Sequence, residues 1–93
     1  MQNGRVTDHP ARSRYELPLG EDVAVAVYRD SEGVRAITHT EVPRALRGKG
    51  IGGRLVAGVL DDIRARGMRV APLCPFVARY IAAHPDYTDL LAR

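Results

Sequence analysis

The sequence has few of the residues that build disulfide, multi-cysteine metal or base-stacking sites. Cys74 is the only cysteine among 93 residues, so neither an internal disulfide nor a metal centre made of several cysteines can form. We therefore predict a protein of the reducing cytoplasm. Tryptophan is absent and phenylalanine occurs once. Because single-stranded nucleic acids bind largely by stacking their bases on aromatic rings, we expect no nucleic-acid partner.

Long apolar runs are also missing. The most apolar segments, residues 23–27 and 51–60, fall well short of the ~20 residues that cross a bilayer, so we expect no membrane partner. The first five residues lead into polar sequence rather than into the apolar part of a secretory signal, and we expect no such signal. The net charge of +3 suits an anionic ligand but does not by itself identify one.

The length and composition indicate one small globular domain. A chain of this size buries only about 60–65% of its unfolded surface, so its core should be one small sheet packed by a few helices. Hydrophobic residues make up 45% of the chain, which is normal for a folded domain. Residues 1–12 show no clear period, and we interpret them as a loose tail of a single domain that covers 1–93.

Three β-strands are predicted in the first half of the chain. Residues 14–19 alternate weakly in hydropathy, residues 23–28 are rich in valine, and residues 34–42 form a third candidate strand before Pro43. Short polar turn sequences at 20–22 and 30–33 separate them. Strands joined by such short turns pair in antiparallel fashion.

A β-α-β crossover is predicted in the second half. Apolar residues recur every four positions from Ile51 to Ile63, which is typical of an amphipathic helix. Residues 68–73 then return to the sheet as a strand parallel to the third one. Pro75 is placed to open a second helix. The fold class is therefore α+β, with one small mixed sheet of antiparallel N-terminal strands followed by one β-α-β crossover.

Glycines cluster where the first helix begins. Five of the nine glycines lie between Gly48 and Gly58. A helix N-terminus offers unpaired N–H groups and the positive end of the helix dipole, and glycine lets a phosphate approach the backbone. Arg47 and Lys49, the only lysine, add positive charge. The loop predicts a pyrophosphate cradle, with tight helix packing as the alternative explanation, above all at Gly58.

Two familiar phosphate-binding patterns fit this loop poorly. A P-loop needs a hydroxyl residue after its lysine, but Gly50 follows Lys49. A Rossmann fingerprint is formally present as Gly48-x-Gly50-x-x-Gly53. Its next strand should end in an acidic residue that binds the ribose, whereas this one ends at Leu73, and the chain is too short for a doubly wound sheet.

A third pattern fits better. Arg47-x-x-Gly50-x-Gly52 resembles the signature of the GNAT superfamily of N-acetyltransferases, in which Gln or Arg precedes two small residues at these spacings. The flanking segments 37–43 and 74–87 are similar to those of a small stand-alone branch of that superfamily, which has almost nothing beyond the cofactor half. The resemblance covers about residues 15–90.

The resemblance implies a reduced GNAT fold that binds acetyl-coenzyme A, needs no metal, and transfers the acetyl group to an amine. The end of the third strand would run beside the pantetheine arm, where backbone groups bond its amides and polarise the acetyl carbonyl. The loop that follows would hold the pyrophosphate. The implied cofactor-binding residues are Thr40, Glu41, Val42, Arg47, Gly48, Lys49, Gly50, Ile51, Gly52 and Gly53.

Four side chains are candidates for the proton transfers. Glu41 is the candidate base, with a surface carboxylate paired to an arginine as the alternative. His39 shares its strand face and would orient it or serve the structure. Tyr80 stands where many family members carry a tyrosine that protonates the thiolate, or it is a core residue paired with Phe76. Cys74 precedes a helix N-terminus, which favours its thiolate, so it is either a pocket group or a small buried residue.

The chain departs from larger family members in two places. The turn at 20–22 leaves no room for the helices that they insert between the first two strands, and the sequence stops at Arg93, where they continue with further strands. Both departures concern the acceptor site. We therefore expect an open groove, which indicates a protein or peptide amine, an amine supplied with a partner, or a weak enzyme. A non-catalytic module that binds acyl-coenzyme A, or regulates a partner, is the alternative function.

Overall fold

The computed structural model describes residues 4–92, which form five strands and two α-helices. The strands are β1 (Thr7–His9), β2 (Arg14–Leu19), β3 (Asp22–Ser31), β4 (Val34–Glu41) and β5 (Arg69–Pro72). The helices are α1 (Ile51–Ala65) and α2 (Pro75–Ala83), and short 3-10 turns occur at Pro10–Arg12, Arg44–Leu46 and Pro85–Leu90. Within these residues, neither helix is long and apolar enough to cross a bilayer.

All five strands belong to one sheet, in the order in which they follow along the chain. β1 to β4 pair in antiparallel fashion, and β5 lies parallel to β4. Because α1 connects β4 to β5, these three elements form the predicted crossover. The sequence prediction of an α+β fold with a single mixed sheet is confirmed.

The side of the sheet that α1 covers is lined by small residues of β3. Ala24 and Ala26 are fully buried there, and α1 contributes its apolar stripe to the same core. The valines at 23, 25 and 27 alternate with these alanines and point to the other side of the sheet, where they stay partly exposed. Small residues under the helix leave room for it to lie close to the sheet.

The prediction of a loose first segment is wrong for residues 4–12. β1 pairs with β2, and the Gly4 amide donates to the carbonyl of Pro18 over 2.9 Å. Val6 packs on α1 at Gly58, where a Cβ would stand 2.5 Å from the valine methyl, so Gly58 is a packing glycine as the alternative reading proposed. The partners of this segment lie far along the chain, which is why its local pattern did not reveal them. Residues 1–3 lie outside the described part.

A buried arginine fixes the segment to the sheet. The Arg35 side chain is 6% exposed; it donates to both carboxylate oxygens of Asp30 at 2.7 and 2.8 Å and to Asp8 at 3.3 Å. It also donates to the Tyr15 hydroxyl at 2.8 Å and stacks on the Tyr28 ring at 3.9 Å. Burial and a hydrogen bond to Asp8 raise the pKa of Tyr28 to about 12. Arg35 lies at the start of β4, and the candidate site lies at the other end of that strand.

Candidate cofactor and active site

The glycine loop leads directly into α1. Gly48 and Gly50 adopt left-handed backbone angles, with φ of +81° and +76°. Side chains rarely tolerate this conformation, which explains glycine at both positions. Gly50 is the N-cap of α1 and has no side chain. The N–H groups of Ile51, Gly52 and Gly53 therefore have no N-cap side chain to which they could donate a hydrogen bond. The loop therefore presents the positive end of a 15-residue helix.

A cavity of about 640 Å³ opens between this loop and the end of β4. Nine of the ten predicted cofactor-binding residues line it, and Lys49 is the exception, with its exposed side chain in the same loop. A Cβ built on Gly48 or Gly50 meets no atom within 4 Å, so the space beside the backbone is free. Strand end, loop and helix start thus form one concave surface that suits a long anionic ligand.

β4 and β5 separate beside this cavity. Their pairing ends at Ile37 with Pro72, whereas β4 continues to pair with β3 as far as Glu41. The amide of Cys74 still donates to the Ile37 carbonyl at 2.9 Å, and beyond that point the strands diverge. The edge of β4 that faced β5 is therefore available to another extended, hydrogen-bonding group. A register shift in the β3–β4 pairing lies at this same place, between Tyr28–Ile37 and Val27–His39.

Arg47 links the two parts of this surface. Its Nε donates to the carbonyl of Val42 at 3.2 Å, which holds the loop against the end of β4. The side chain remains exposed, so its positive charge is available at the cavity. Arg47 therefore combines a structural contact with attraction for an anion.

Cys74 lies behind the opening rather than on the cavity wall. It is 7% exposed and belongs to the buried core, but its sulfur is 3.5 Å from the hydroxyl of Thr40, which lines the cavity. Burial raises the pKa of the thiol, but hydrogen bonds from Thr40 and from backbone N–H groups, including those of Val77 and Phe76, outweigh it and hold the pKa below its usual value. Of the two alternatives predicted for Cys74, the structure favours the small buried residue over the pocket group, and its contact with Thr40 is its link to the cavity.

Glu41 and His39 lie together on the rim of the cavity. They pair with Val25 and Val27 of β3, so their side chains point away from α1, and His39 Nε2 lies 3.5 Å from Glu41 Oε1. Both are well exposed, at 66% and 62%. The alternative for Glu41 was a surface ion pair with an arginine. Arg35 is not that partner, because it is buried and pairs with Asp8 and Asp30. The predicted shared face is present, and the predicted proton transfer stays a prediction.

Tyr80 does not line the cavity. Its ring stacks on His84 with centroids 3.8 Å apart, and it lies against Gly53, where a Cβ would be 3.6 Å from the ring. His84 in turn hydrogen-bonds through Nδ1 to the carbonyl of Tyr80 at 2.8 Å. Of the two roles considered for Tyr80, these contacts favour packing of α2 against α1.

Two cavity residues, Leu46 and Phe76, were not among the candidates. Phe76 lines the cavity from the first turn of α2. Its sequence signal was ambiguous, because the i, i+4 spacing of Phe76 and Tyr80 also predicts packing between these two side chains. We interpreted Phe76 only as the packing partner of Tyr80.

Among residues 4–92, no three His, Cys, Asp or Glu side chains are grouped so that they could hold a metal ion. The donors at the cavity are instead backbone N–H groups, the Thr40 hydroxyl, one arginine and one imidazole. This donor set fits a phosphate-bearing organic ligand better than a cation.

Comparisons with known proteins identify the family and the fold. The sequence model of the GCN5-related N-acetyl-transferase family matches residues 14–90. The fold is similar to the NMR structure of a GCN5-like protein from Staphylococcus aureus, with a TM-score of 0.75 and 22% identity over 99% of this chain and 91% of that one. No curated protein matches the sequence. The family match covers well over half of the chain, which therefore belongs to the GCN5-related N-acetyltransferase family.

Proposed function

We propose that the protein binds acetyl-coenzyme A in this cavity and transfers the acetyl group to an amine. The observation that carries the proposal is that the glycine-rich start of α1, with the left-handed Gly50 as its N-cap, lines a cavity that also includes the end of β4. One end of the cavity suits a pyrophosphate and the other suits an extended chain of amides.

The glycine loop would hold the phosphates. The N–H groups of residues 51–53 donate to phosphate oxygens, and Arg47 and Lys49 supply charge from the rim of the same loop. Backbone groups of Thr40 to Val42 would bond the pantetheine amides in the place that β5 leaves free. When bound, the cofactor supplies an acetyl thioester that an amine can attack directly.

The end of β4 would also serve the chemistry. A backbone N–H beside the thioester carbonyl stabilises the charge that develops on its oxygen, which needs no special side chain. Glu41 accepts the proton of the attacking ammonium, directly or through water, and His39 orients that carboxylate. The thiolate that leaves would take up a proton, and Cys74, in contact with Thr40 at the cavity, is the candidate donor. Tyr80, the other candidate donor, is stacked on His84 and does not line the cavity.

Calorimetry and turnover test the two halves of this proposal separately. We expect saturable binding of both acetyl-coenzyme A and coenzyme A in metal-free buffer, and release of free thiol when a panel of peptide amines and polyamines is added. Absence of binding at millimolar cofactor would contradict the whole proposal.

The second candidate is a module that binds acyl-coenzyme A without turnover. It is favoured by the position of Tyr80, which packs on His84 rather than lining the cavity. Binding with no thiol release across the whole amine panel would select this function over the transferase.

A further inference from the structure

Phe76 is an aromatic side chain whose exposure the core does not explain. It is 38% exposed, whereas Val77, its neighbour on α2, is 1% exposed and packs in the core. The ring lines the same cavity as the glycine loop. Because large aromatic residues usually bury their surface, an exposed ring in the wall of a cavity suggests a contact with a ligand.

The position of the Phe76 ring also explains why residue 52 is glycine, which the backbone conformation of Gly52 does not require. Gly48 and Gly50 need glycine for their left-handed angles, whereas Gly52 is an ordinary residue in the first turn of α1. A Cβ on Gly52 would stand 2.7 Å from Cζ and 3.1 Å from Cε2 of Phe76. The tip of the ring therefore occupies the space in which a side chain at residue 52 would begin.

The position of this pair within the cavity is specific. Gly52 belongs to the predicted phosphate cradle, and Phe76 follows Cys74 by two residues at the opening between β4 and β5. A ligand that joins the cradle to the opening passes beside the ring of Phe76. In coenzyme A that connecting part is the pantetheine arm, which carries two methyl groups and a short apolar thioethyl end.

We propose that Phe76 is a binding residue for the pantetheine arm, and that Gly52 lacks a side chain so that the ring can lie against α1 and form the wall of this channel. The inference rests on the proposed function and deepens it. The ring covers the apolar part of the arm, and its loss removes that contact while leaving the phosphate cradle in place.

A comparison of two ligands distinguishes the contribution of the pantetheine arm to binding from that of the phosphates. Coenzyme A has both parts, whereas adenosine 3′,5′-bisphosphate has phosphates but no arm. We expect Phe76→Ala to weaken coenzyme A by about tenfold and Phe76→Leu to weaken it less, because leucine restores part of the apolar area. Both variants should bind the bisphosphate as the parent does. Leu73→Ala is the matched control, since Leu73 is also an exposed apolar residue of this turn, at 66%, but does not line the cavity.

A double-mutant cycle tests the pairing with Gly52. Gly52→Ala should weaken coenzyme A in the parent, because its methyl group displaces the ring. The same change should have little further effect in Phe76→Ala, where no ring remains to be displaced. Circular dichroism and thermal unfolding establish that each variant is folded, and alanine is well tolerated in a first helical turn.

The possible results are distinct. Parental binding of coenzyme A by Phe76→Ala, or an equal loss for both ligands, would overturn the contact with the arm. An equal effect of Gly52→Ala in both backgrounds would assign Gly52 to the phosphates rather than to the ring. If the parent itself binds neither ligand, the proposed function fails and this inference fails with it.

Discussion

The hydroxyl oxygen of Thr40 lies 3.5 Å from the sulfur of Cys74, across the opening at which β4 and β5 diverge. Thr40 lines the cavity from the end of β4, and Cys74 caps the start of α2. This contact joins the last strand of the crossover to the cofactor site. Because of this contact, the pKa of the Cys74 thiol should depend on the state of the cofactor site.

The pH dependence of Cys74 alkylation should show this contact. Hydrogen bonds from Thr40 and from backbone N–H groups hold the pKa of the thiol below its usual value, although burial opposes them. The rate of alkylation by iodoacetamide should therefore reach its half-maximum at a lower pH than for free cysteine. Thr40→Val should move the midpoint upward, and coenzyme A should slow the reaction. A midpoint that does not change in Thr40→Val would contradict the role of this hydroxyl.

Gly50 lies in the candidate cofactor site and Gly33 lies outside it, so alanine at each position separates an effect on binding from an effect on folding. Both have left-handed angles, with φ of +76° and +80°, and a Cβ on either meets no atom within 4 Å. Alanine should cost each about 1–2 kcal/mol in free energy of unfolding. Only Gly50→Ala should also weaken coenzyme A, because Gly33 lies in the turn between β3 and β4. Calorimetry on both variants checks this, and equal affinities would remove Gly50 from the cradle.

Arg35 should matter for stability and not for the site. Its removal leaves the buried carboxylate of Asp8 without its buried partner, so Arg35→Ala should lower the free energy of unfolding by about 3–5 kcal/mol. Denaturant unfolding measures this, and Asp8→Asn provides a milder second variant. Arg64→Ala, at the exposed pair with Asp89, should change stability little. If Asp8→Asn remains folded but loses coenzyme A binding, the claim that the Arg35 end of β4 does not affect the cofactor site is wrong.

Glu41→Gln tests the proposed base. The amide keeps the shape of the side chain but cannot accept a proton, so turnover should fall by about 10²–10⁴-fold. The dissociation constant of coenzyme A should stay near the parental value, since backbone groups make the contacts assigned to this residue. Glu21→Gln, in the exposed turn between β2 and β3, is the control. Undiminished turnover in Glu41→Gln would make Glu41 a surface carboxylate.

Most of the fold could be predicted because its signals are local. The valine-rich strand, the four-residue period from Ile51 and the proline at 75 fix β3, α1 and α2, and their order then requires the parallel crossover. The structure of residues 4–12 could not be predicted. Their order depends on Asp8 meeting Arg35, 27 residues away, and no local pattern contains such a contact.

The parts of the candidate site that could be predicted are likewise those with local signals in the sequence. The glycine loop was visible because left-handed angles and a bare helix start demand glycine in the sequence itself. The role of Phe76 was not visible, because it depends on the approach of α2 to Gly52 in three dimensions. The stacking of Tyr80 on His84 was missed for a related reason, since an i, i+4 spacing allowed either Phe76 or His84 as its partner.

The central claim is that the loop from Gly48 to Gly53 and the end of β4 together bind coenzyme A, and a titration followed by amide ¹H–¹⁵N NMR tests it most directly. On adding coenzyme A to metal-free protein, we predict the largest shifts at the amides of residues 48–53 and 40–42, with those at the Arg35 end of β4 unchanged. Shifts confined to other surfaces, or none at millimolar ligand, would contradict it.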